Sequence, residues 1–191
     1  MKELKRLFTK EELLTIPNIL SYFRLALIPI IVWLYCFEQN FKLAIIAITV
    51  SALTDIVDGF IARKFNMISD FGKIIDPIAD KLTQGTVILC LTMQYDLMIG
   101  LVIFFVIKEF LIAFLGWLII KRHDVVNSAK WFGKVNTVVL YFSMMFLLLF
   151  PSMNTAIANI IILICFVSMS IALLLYIRFF MNFLLKKNNK K

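Results

Sequence analysis

The chain has 191 residues, 62% of them hydrophobic, and a net charge of +8. A soluble domain is usually about 45–50% apolar, so this composition excludes an ordinary water-soluble globular protein and indicates an integral membrane protein. The basic residues lie at the ends of long apolar blocks. Anionic lipid headgroups, rather than nucleic acid, are therefore their expected partners.

The first 15 residues mix charged side chains with leucine and phenylalanine on roughly one helical face. This pattern predicts an amphipathic helix that lies on the membrane surface. The same segment lacks the apolar core and cleavage site of a secretory signal peptide, so we expect none. Pro17 then predicts a turn into the first membrane span.

Six apolar blocks of membrane-spanning length follow, which predict an all-α integral membrane protein with six transmembrane helices. The predicted spans are 18–37, 42–63, 72–94, 97–120, 132–150 and 155–181. We interpret residues 1–191 as a single membrane domain, with the surface helix over 1–15, a six-helix bundle over 16–185 and a basic tail over 186–191. The three cysteines lack the spacing of metal ligands, and we interpret them as packing residues.

The distribution of lysine and arginine predicts the orientation. An even number of spans places both termini on one side, and nearly all the loop cations fall on that side. The opposite loops lie near 38–42, 95–97 and 151–154, and Lys42 is the only lysine or arginine in them. The positive-inside rule therefore predicts cytoplasmic termini, in what we expect to be a bacterial cytoplasmic membrane.

Four aspartates fall in the predicted cytoplasmic halves of spans two and three, where ionisable groups are rare and each costs up to about 2.5–3.5 kcal/mol. Asp55 and Asp58 are three residues apart, and Asp76 and Asp80 are four apart, so each pair shares a helix face. Carboxylates facing each other across two antiparallel helices repel unless cations lie between them. Their oxygen ligands suit two divalent ions, Mg²⁺ or Mn²⁺, and such a pair of ions is a common clamp for displacement at phosphorus.

Small residues and one arginine accompany these acids. Gly59 follows Asp58, Ala62 lies one turn further on, and Gly72 lies one turn before Asp76. Small side chains let a ligand approach the backbone closely, and the guanidinium of Arg63 suits a phosphate. A helix-packing motif would explain the small residues alone, but it does not explain four aspartates.

The complete pattern from Asp55 to Asp80 is D-x2-D-G-x2-A-R-x8-G-x3-D-x3-D, and it resembles the signature of the CDP-alcohol phosphatidyltransferase family at all eight fixed positions. The resemblance implies an enzyme that transfers the phosphatidyl group of CDP-diacylglycerol to an alcohol and releases CMP. It implies that Asp80 is the general base. It also implies a homodimer. The predicted orientation places the active site on the cytoplasmic side.

The resemblance further assigns ligands to positions of this chain. The implied metal ligands are Asp55, Asp58, Asp76 and Asp80. The residues implied to bind CDP-diacylglycerol are Asn18, Asp55, Asp58, Gly59, Ala62, Arg63 and Gly72. The residues implied to bind the acceptor are Arg24, Lys81, Lys108, Lys134 and Asn136.

The acceptor itself stays open between two alcohols. The segment from Pro17 to Arg24 resembles both members that use glycerol-3-phosphate and cardiolipin synthases that use phosphatidylglycerol. Gly116 and Asn136 stand where the first group tends to carry cations, which favours the singly charged acceptor of the second. We expect glycerol-3-phosphate because its synthases are the commoner bacterial members, with phosphatidylglycerol as the alternative. A small transporter is a remote alternative, because a transporter would usually show repeat symmetry and broken helices, and this sequence has no convincing internal repeat.

Overall fold

A computed structural model describes residues 13–65, 67, 69, 71–123 and 130–185. These residues form long helices and short connections without a strand among them, which confirms the predicted all-α class. The predicted surface helix over 1–15 lies almost entirely outside the described residues, and the predicted basic tail over 186–191 lies wholly outside them.

Six helices match the predicted spans to within a few residues. In chain order they are α1 at Ile16–Val32, followed by a π-helical turn at Trp33–Phe37, α2 at Phe41–Lys64, α3 at Gly72–Leu91, α4 at Leu97–His123, α5 at Trp131–Leu149 and α6 at Thr155–Leu185. Five of these, all except α3, are long and apolar enough to cross a membrane. Charged residues in its first half set α3 apart, and its assignment as the third span stays a prediction.

The start of α1 follows from local sequence chemistry. The Thr15 hydroxyl caps the helix by accepting a hydrogen bond from the Asn18 backbone N–H at 3.4 Å. Pro17 fits the first turn because a backbone N–H at that position has no partner within the helix, so its absence in proline costs nothing. The buried residues recur every three or four positions along one face. They are Asn18, Ser21, Arg24, Leu27 and Ile31. The face is therefore polar near the start of α1 and apolar further along.

The contacts divide the chain into two compact units, Met1–Cys90 and Leu91–Lys191. In the first unit, α1 packs along α2. In the second unit, α6 packs against both α4 and α5. The prediction of a single six-helix bundle stays a prediction.

Close packing of α5 on α6 depends on a glycine. A Cβ atom at Gly133 would overlap the Tyr176 hydroxyl oxygen. The neighbouring Phe132 ring meets the Tyr176 ring edge-on, with 4.5 Å between centroids. Glycine therefore lets the two helices approach at the point where α5 begins.

Large apolar side chains project outward from these helices. Phe142 is 75% exposed and Phe110 is 68% exposed, and similar residues occur along the other long helices. An exposed apolar surface of this extent needs a cover other than water. The helices thus belong to a membrane protein.

Candidate active site

Three aspartates converge in the first unit, as their spacing predicts. Asp55 and Asp58 lie on one face of α2, and Asp76 lies one turn after the start of α3. One carboxylate oxygen from each lies within 4.8 Å of the others. Asp58 is buried, whereas Asp55 and Asp76 keep 37% and 47% of their side chains exposed.

Arg24 of α1 reaches this cluster from inside the protein. Its Nη1 lies 2.6 Å from Asp55 Oδ1, and its Nη2 pairs with Asp58 Oδ2 and lies 3.4 Å from Asp76 Oδ1. The planar guanidinium fork suits carboxylates, and a buried charge is stable only when it is paired in this way. The Ser21 hydroxyl, one turn earlier on α1, is 3.5 Å from the same oxygen of Asp76.

The charge balance leaves room for further cations. Two carboxylates within 4.8 Å of each other repel by about 3.5 kcal/mol at an effective dielectric constant of 20. One guanidinium neutralises one of the three carboxylates. Three oxygen donors with a residual negative charge are what a hard divalent cation prefers. The residues present therefore fit a divalent metal ion.

Asp80 lies one turn beyond Asp76 on α3 and stands outside the group of three oxygens. It is nevertheless near enough to interact electrostatically with Arg24 and with Asp55. Lys81 follows it, with its Nζ 3.5 Å from the Gln84 side-chain oxygen. The role of Asp80 as a fourth metal ligand and as general base stays a prediction.

A cavity of about 220 Å³ opens beside the aspartates within the first unit. Asp58 and Asp76 form part of its wall, so the carboxylates and the cavity are continuous. Six of the seven residues predicted to bind CDP-diacylglycerol line it. They are Asn18, Asp58, Gly59, Ala62, Arg63 and Gly72. The small side chains leave the cavity open, and Arg63 adds a positive charge to its wall.

Sequence reasoning missed Ser69, which organises one side of this cavity. The buried Ser69 hydroxyl accepts hydrogen bonds from the Asn18 side-chain amide at 3.0 Å and from the Gly72 backbone N–H at 2.9 Å. Serine three residues before the first helical N–H groups is a capping pattern, so the sequence did carry a signal. The cavity wall also contains Lys73, an exposed cation that adds positive charge beside Arg63.

The remaining residues predicted to bind the acceptor lie in the second unit. Lys108 of α4 is buried, with its Nζ 2.6 Å from Glu109 Oε1 and 5.4 Å from the centre of the Phe105 ring. Asn136 of α5 is also buried and accepts a hydrogen bond from the Ser168 hydroxyl of α6 at 3.2 Å. Lys134 is exposed. Their predicted contact with an acceptor stays a prediction.

A second cavity, of about 470 Å³, lies between α5 and α6 in this unit. Its lining is apolar apart from Asn136 and Ser168, and Trp131 stands at one end. The Asn136–Ser168 hydrogen bond satisfies the two polar groups that the apolar lining would otherwise leave without a partner.

Comparison with known proteins agrees with this geometry. The family model for CDP-alcohol phosphatidyltransferases matches residues 14–185, which is nearly the whole chain. The aspartate cluster beside a cavity lined by Arg63 is thus found in a chain that belongs to the CDP-alcohol phosphatidyltransferase family.

Individual relatives carry two different names. A CDP-diacylglycerol–glycerol-3-phosphate 3-phosphatidyltransferase of Rickettsia typhi is 41% identical over 78 residues, or 40% of this chain and 44% of that protein. A cardiolipin synthase (CMP-forming) of Streptomyces coelicolor is 33% identical over 146 residues, or 73% of this chain and 67% of that protein. A protein of Aquifex aeolicus with the first name is 31% identical over 69% of this chain and 74% of its own length. The match to the Rickettsia relative spans less than half of that protein.

Proposed function

We propose that this chain transfers the phosphatidyl group of CDP-diacylglycerol to glycerol-3-phosphate and releases CMP. The observation that carries the proposal is the cavity beside the aspartates. Its wall combines Asp58 and Asp76 with Arg63, so carboxylates for metal ions and a cation for phosphate face one space. A nucleotide joined to a lipid by a pyrophosphate needs both.

The residues divide the work of the reaction. Arg63 and Lys73 attract the negative pyrophosphate, while Gly59 and Ala62 leave room for the nucleoside. Asp80 accepts the proton of the acceptor hydroxyl as its oxygen bonds to the phosphorus that carries diacylglycerol. The bond between that phosphorus and the bridging oxygen breaks, and CMP leaves with that oxygen. Asp55, Asp58 and Asp76 would hold divalent cations, which would neutralise charge on the pyrophosphate.

Two divalent ions, Mg²⁺ or Mn²⁺, fit the charge better than one. Asp55, Asp58, Asp76 and Asp80 bring four negative charges, and Arg24 offsets one of them. One divalent ion leaves the site negative before an anionic substrate arrives, which opposes binding. Two leave it positive, which favours a pyrophosphate.

Phosphatidylglycerol is a second candidate acceptor, and two observations favour it. The match to the Streptomyces cardiolipin synthase extends over 73% of this chain. In the second unit, Glu109 already pairs with Lys108, and Asn136 is neutral. A singly charged phosphodiester needs fewer cations than a phosphomonoester, so it suits this set of residues.

We further propose that both termini and the active site face the cytoplasm. The support is the concentration of lysine and arginine on one side of the predicted spans. On the resemblance alone we propose a homodimer, which cross-linking in native membranes would test.

The decisive experiment measures CMP release by the purified protein in detergent or liposomes. CDP-diacylglycerol and Mg²⁺ or Mn²⁺ are supplied with glycerol-3-phosphate, phosphatidylglycerol, inositol phosphate or serine in separate reactions. We expect acceleration by glycerol-3-phosphate. Acceleration by phosphatidylglycerol alone would establish the second candidate, and acceleration by none of the four would reject the synthase proposal.

A further inference from the structure

Arg24 is as deeply buried as Asp58 and much more deeply buried than the other two carboxylates that it contacts. Its side chain is 1% exposed, against 37% for Asp55 and 47% for Asp76. It does not line the cavity, although Asp58 and Asp76 do. The guanidinium therefore lies on the protein side of the cluster, and a ligand in the cavity meets the aspartates first. This position argues against direct contact between Arg24 and an acceptor alcohol.

The contacts of Arg24 use one oxygen of each carboxylate. They are Oδ1 of Asp55, Oδ2 of Asp58 and Oδ1 of Asp76. Each carboxylate has a second oxygen, so pairing with Arg24 does not exhaust its capacity for another cation. A side chain from α1 thus fixes acids from α2 and from α3 in one group.

We propose that Arg24 is a positioning residue that holds Asp55, Asp58 and Asp76 together in a geometry ready for divalent cations. The inference rests on the proposed metal-dependent function and deepens it. Without the guanidinium, electrostatic repulsion would separate the three carboxylates. Part of the free energy of metal binding would then be spent on bringing them together. Outer-shell partners of metal ligands act in this way, and losing one typically weakens metal binding by about 10–100-fold.

Two physical effects predict opposite results, which makes the proposal testable. If Arg24 acted only as a positive charge beside the site, its removal would tighten the binding of a divalent cation. If it organises the ligands, its removal weakens binding. A lysine at this position would keep the charge and lose the planar fork, so it separates charge from geometry.

The experiment measures Mn²⁺ binding to the purified full chain in detergent, by electron paramagnetic resonance, without lipid substrate. We expect Arg24→Gln and Arg24→Lys both to bind Mn²⁺ about 10–100-fold more weakly than the unmodified chain. Arg178→Gln removes an exposed arginine of α6 and is the matched control, with Mn²⁺ affinity unchanged. Unchanged or tighter binding in Arg24→Gln would overturn the proposal, and full affinity in Arg24→Lys would overturn the role of the fork.

Folding is checked separately by size-exclusion profile and thermal midpoint. If Arg24→Gln fails to fold, Arg24→Lys decides the question, because it keeps the buried positive charge. The outcome is also distinct from that of the proposed function. Mn²⁺ binding without CMP release in the unmodified chain would reject the function and leave the role of Arg24 standing. CMP release together with full Mn²⁺ affinity in both Arg24 variants would support the function and reject the role of Arg24.

Discussion

Ser69 and Gly72 are joined by a hydrogen bond in which the Gly72 backbone N–H donates to the Ser69 hydroxyl at 2.9 Å. The same hydroxyl meets the side chain of Asn18 on α1. A Cβ atom at Gly72 would lie 2.6 Å from Asn18 Oδ1 and 2.8 Å from Ser69 Oγ. The start of α3 is therefore joined to the start of α1 at a point where a side chain on residue 72 would displace both partners.

The two motif glycines should respond differently to alanine. Gly72→Ala displaces Asn18 and Ser69, and overpacking of this kind typically costs about 1–3 kcal/mol. We expect a lower thermal midpoint and reduced CMP release. At Gly59 the added Cβ would lie 3.6 Å from the Arg63 guanidinium, an ordinary contact. Gly59→Ala should keep the thermal midpoint and raise the KM for CDP-diacylglycerol. Equal loss of stability in both variants would contradict this distinction.

Replacement of Asp80 should separate proton transfer from metal binding. Asp80 lies outside the three converging carboxylates, so Asp80→Asn should express normally and keep Mn²⁺ binding at those three. Loss of a general base typically lowers the rate by about 10²–10⁴-fold, and we expect CMP release to fall accordingly. Asp58→Asn, inside the cluster, should lose both Mn²⁺ binding and activity. CMP release at the normal rate from Asp80→Asn would reject the proposed base.

Lys108 offers a test of the acceptor. If its ammonium binds the phosphate of glycerol-3-phosphate, Lys108→Gln should raise the KM for that acceptor by about tenfold or more, the loss of one charge-assisted hydrogen bond. The KM for CDP-diacylglycerol should stay the same. Lys42→Gln, at an exposed lysine of α2, is the matched control. An unchanged KM for glycerol-3-phosphate would remove Lys108 from the acceptor site.

The contact between α5 and α6 predicts a rescue. Gly133→Ala drives a Cβ atom into the Tyr176 hydroxyl, and we expect a destabilisation of about 1–3 kcal/mol, measured as a lower thermal midpoint in detergent. Tyr176→Phe removes that oxygen, so the double variant should regain most of the loss. Gly116→Ala is the control, because a Cβ atom there meets nothing within 4 Å. Additive destabilisation in the double variant would show that the hydroxyl is not the obstacle.

The sulfur atoms of Cys36 and Cys90 lie 3.9 Å apart in the first unit, which predicts an oxidative cross-link. Copper phenanthroline with oxygen should accept two electrons as the two thiols lose their protons and form one disulfide. All three cysteines are free before oxidation. After oxidation and denaturation, a maleimide should label Cys165 alone. Labelling of all three would place the π-helical turn and the end of α3 further apart than this structure does.

Much of the architecture was predictable because apolar blocks and lipid thickness determine helix length. The spacing of Asp55, Asp58 and Asp76 likewise fixed their shared faces, and the three do converge. Asn18 is one of the motif-based residues that the structure places in the cavity wall.

The surroundings of Arg24 were harder to anticipate. An arginine one turn inside a span has several uses, among them reaching the interface or binding an acceptor. Only the packing of α1 against α2 shows that the buried face of α1 brings Arg24 into contact with the aspartates. Ser69 was missed because it lies in the linker between the motif halves, where composition alone does not mark a buried hydroxyl.

The polar start of α3 has a consequence for how the protein reaches its membrane. The first ten residues of α3 include Lys73, Asp76 and Asp80, and each charge raises the free energy of entering lipid. A helix of this kind does not partition into a bilayer by itself. On the predicted topology, α3 therefore depends on α1 and α2, which are synthesised earlier and bring Arg24 to Asp76. The residues proposed to serve the reaction would also make the order of biogenesis matter.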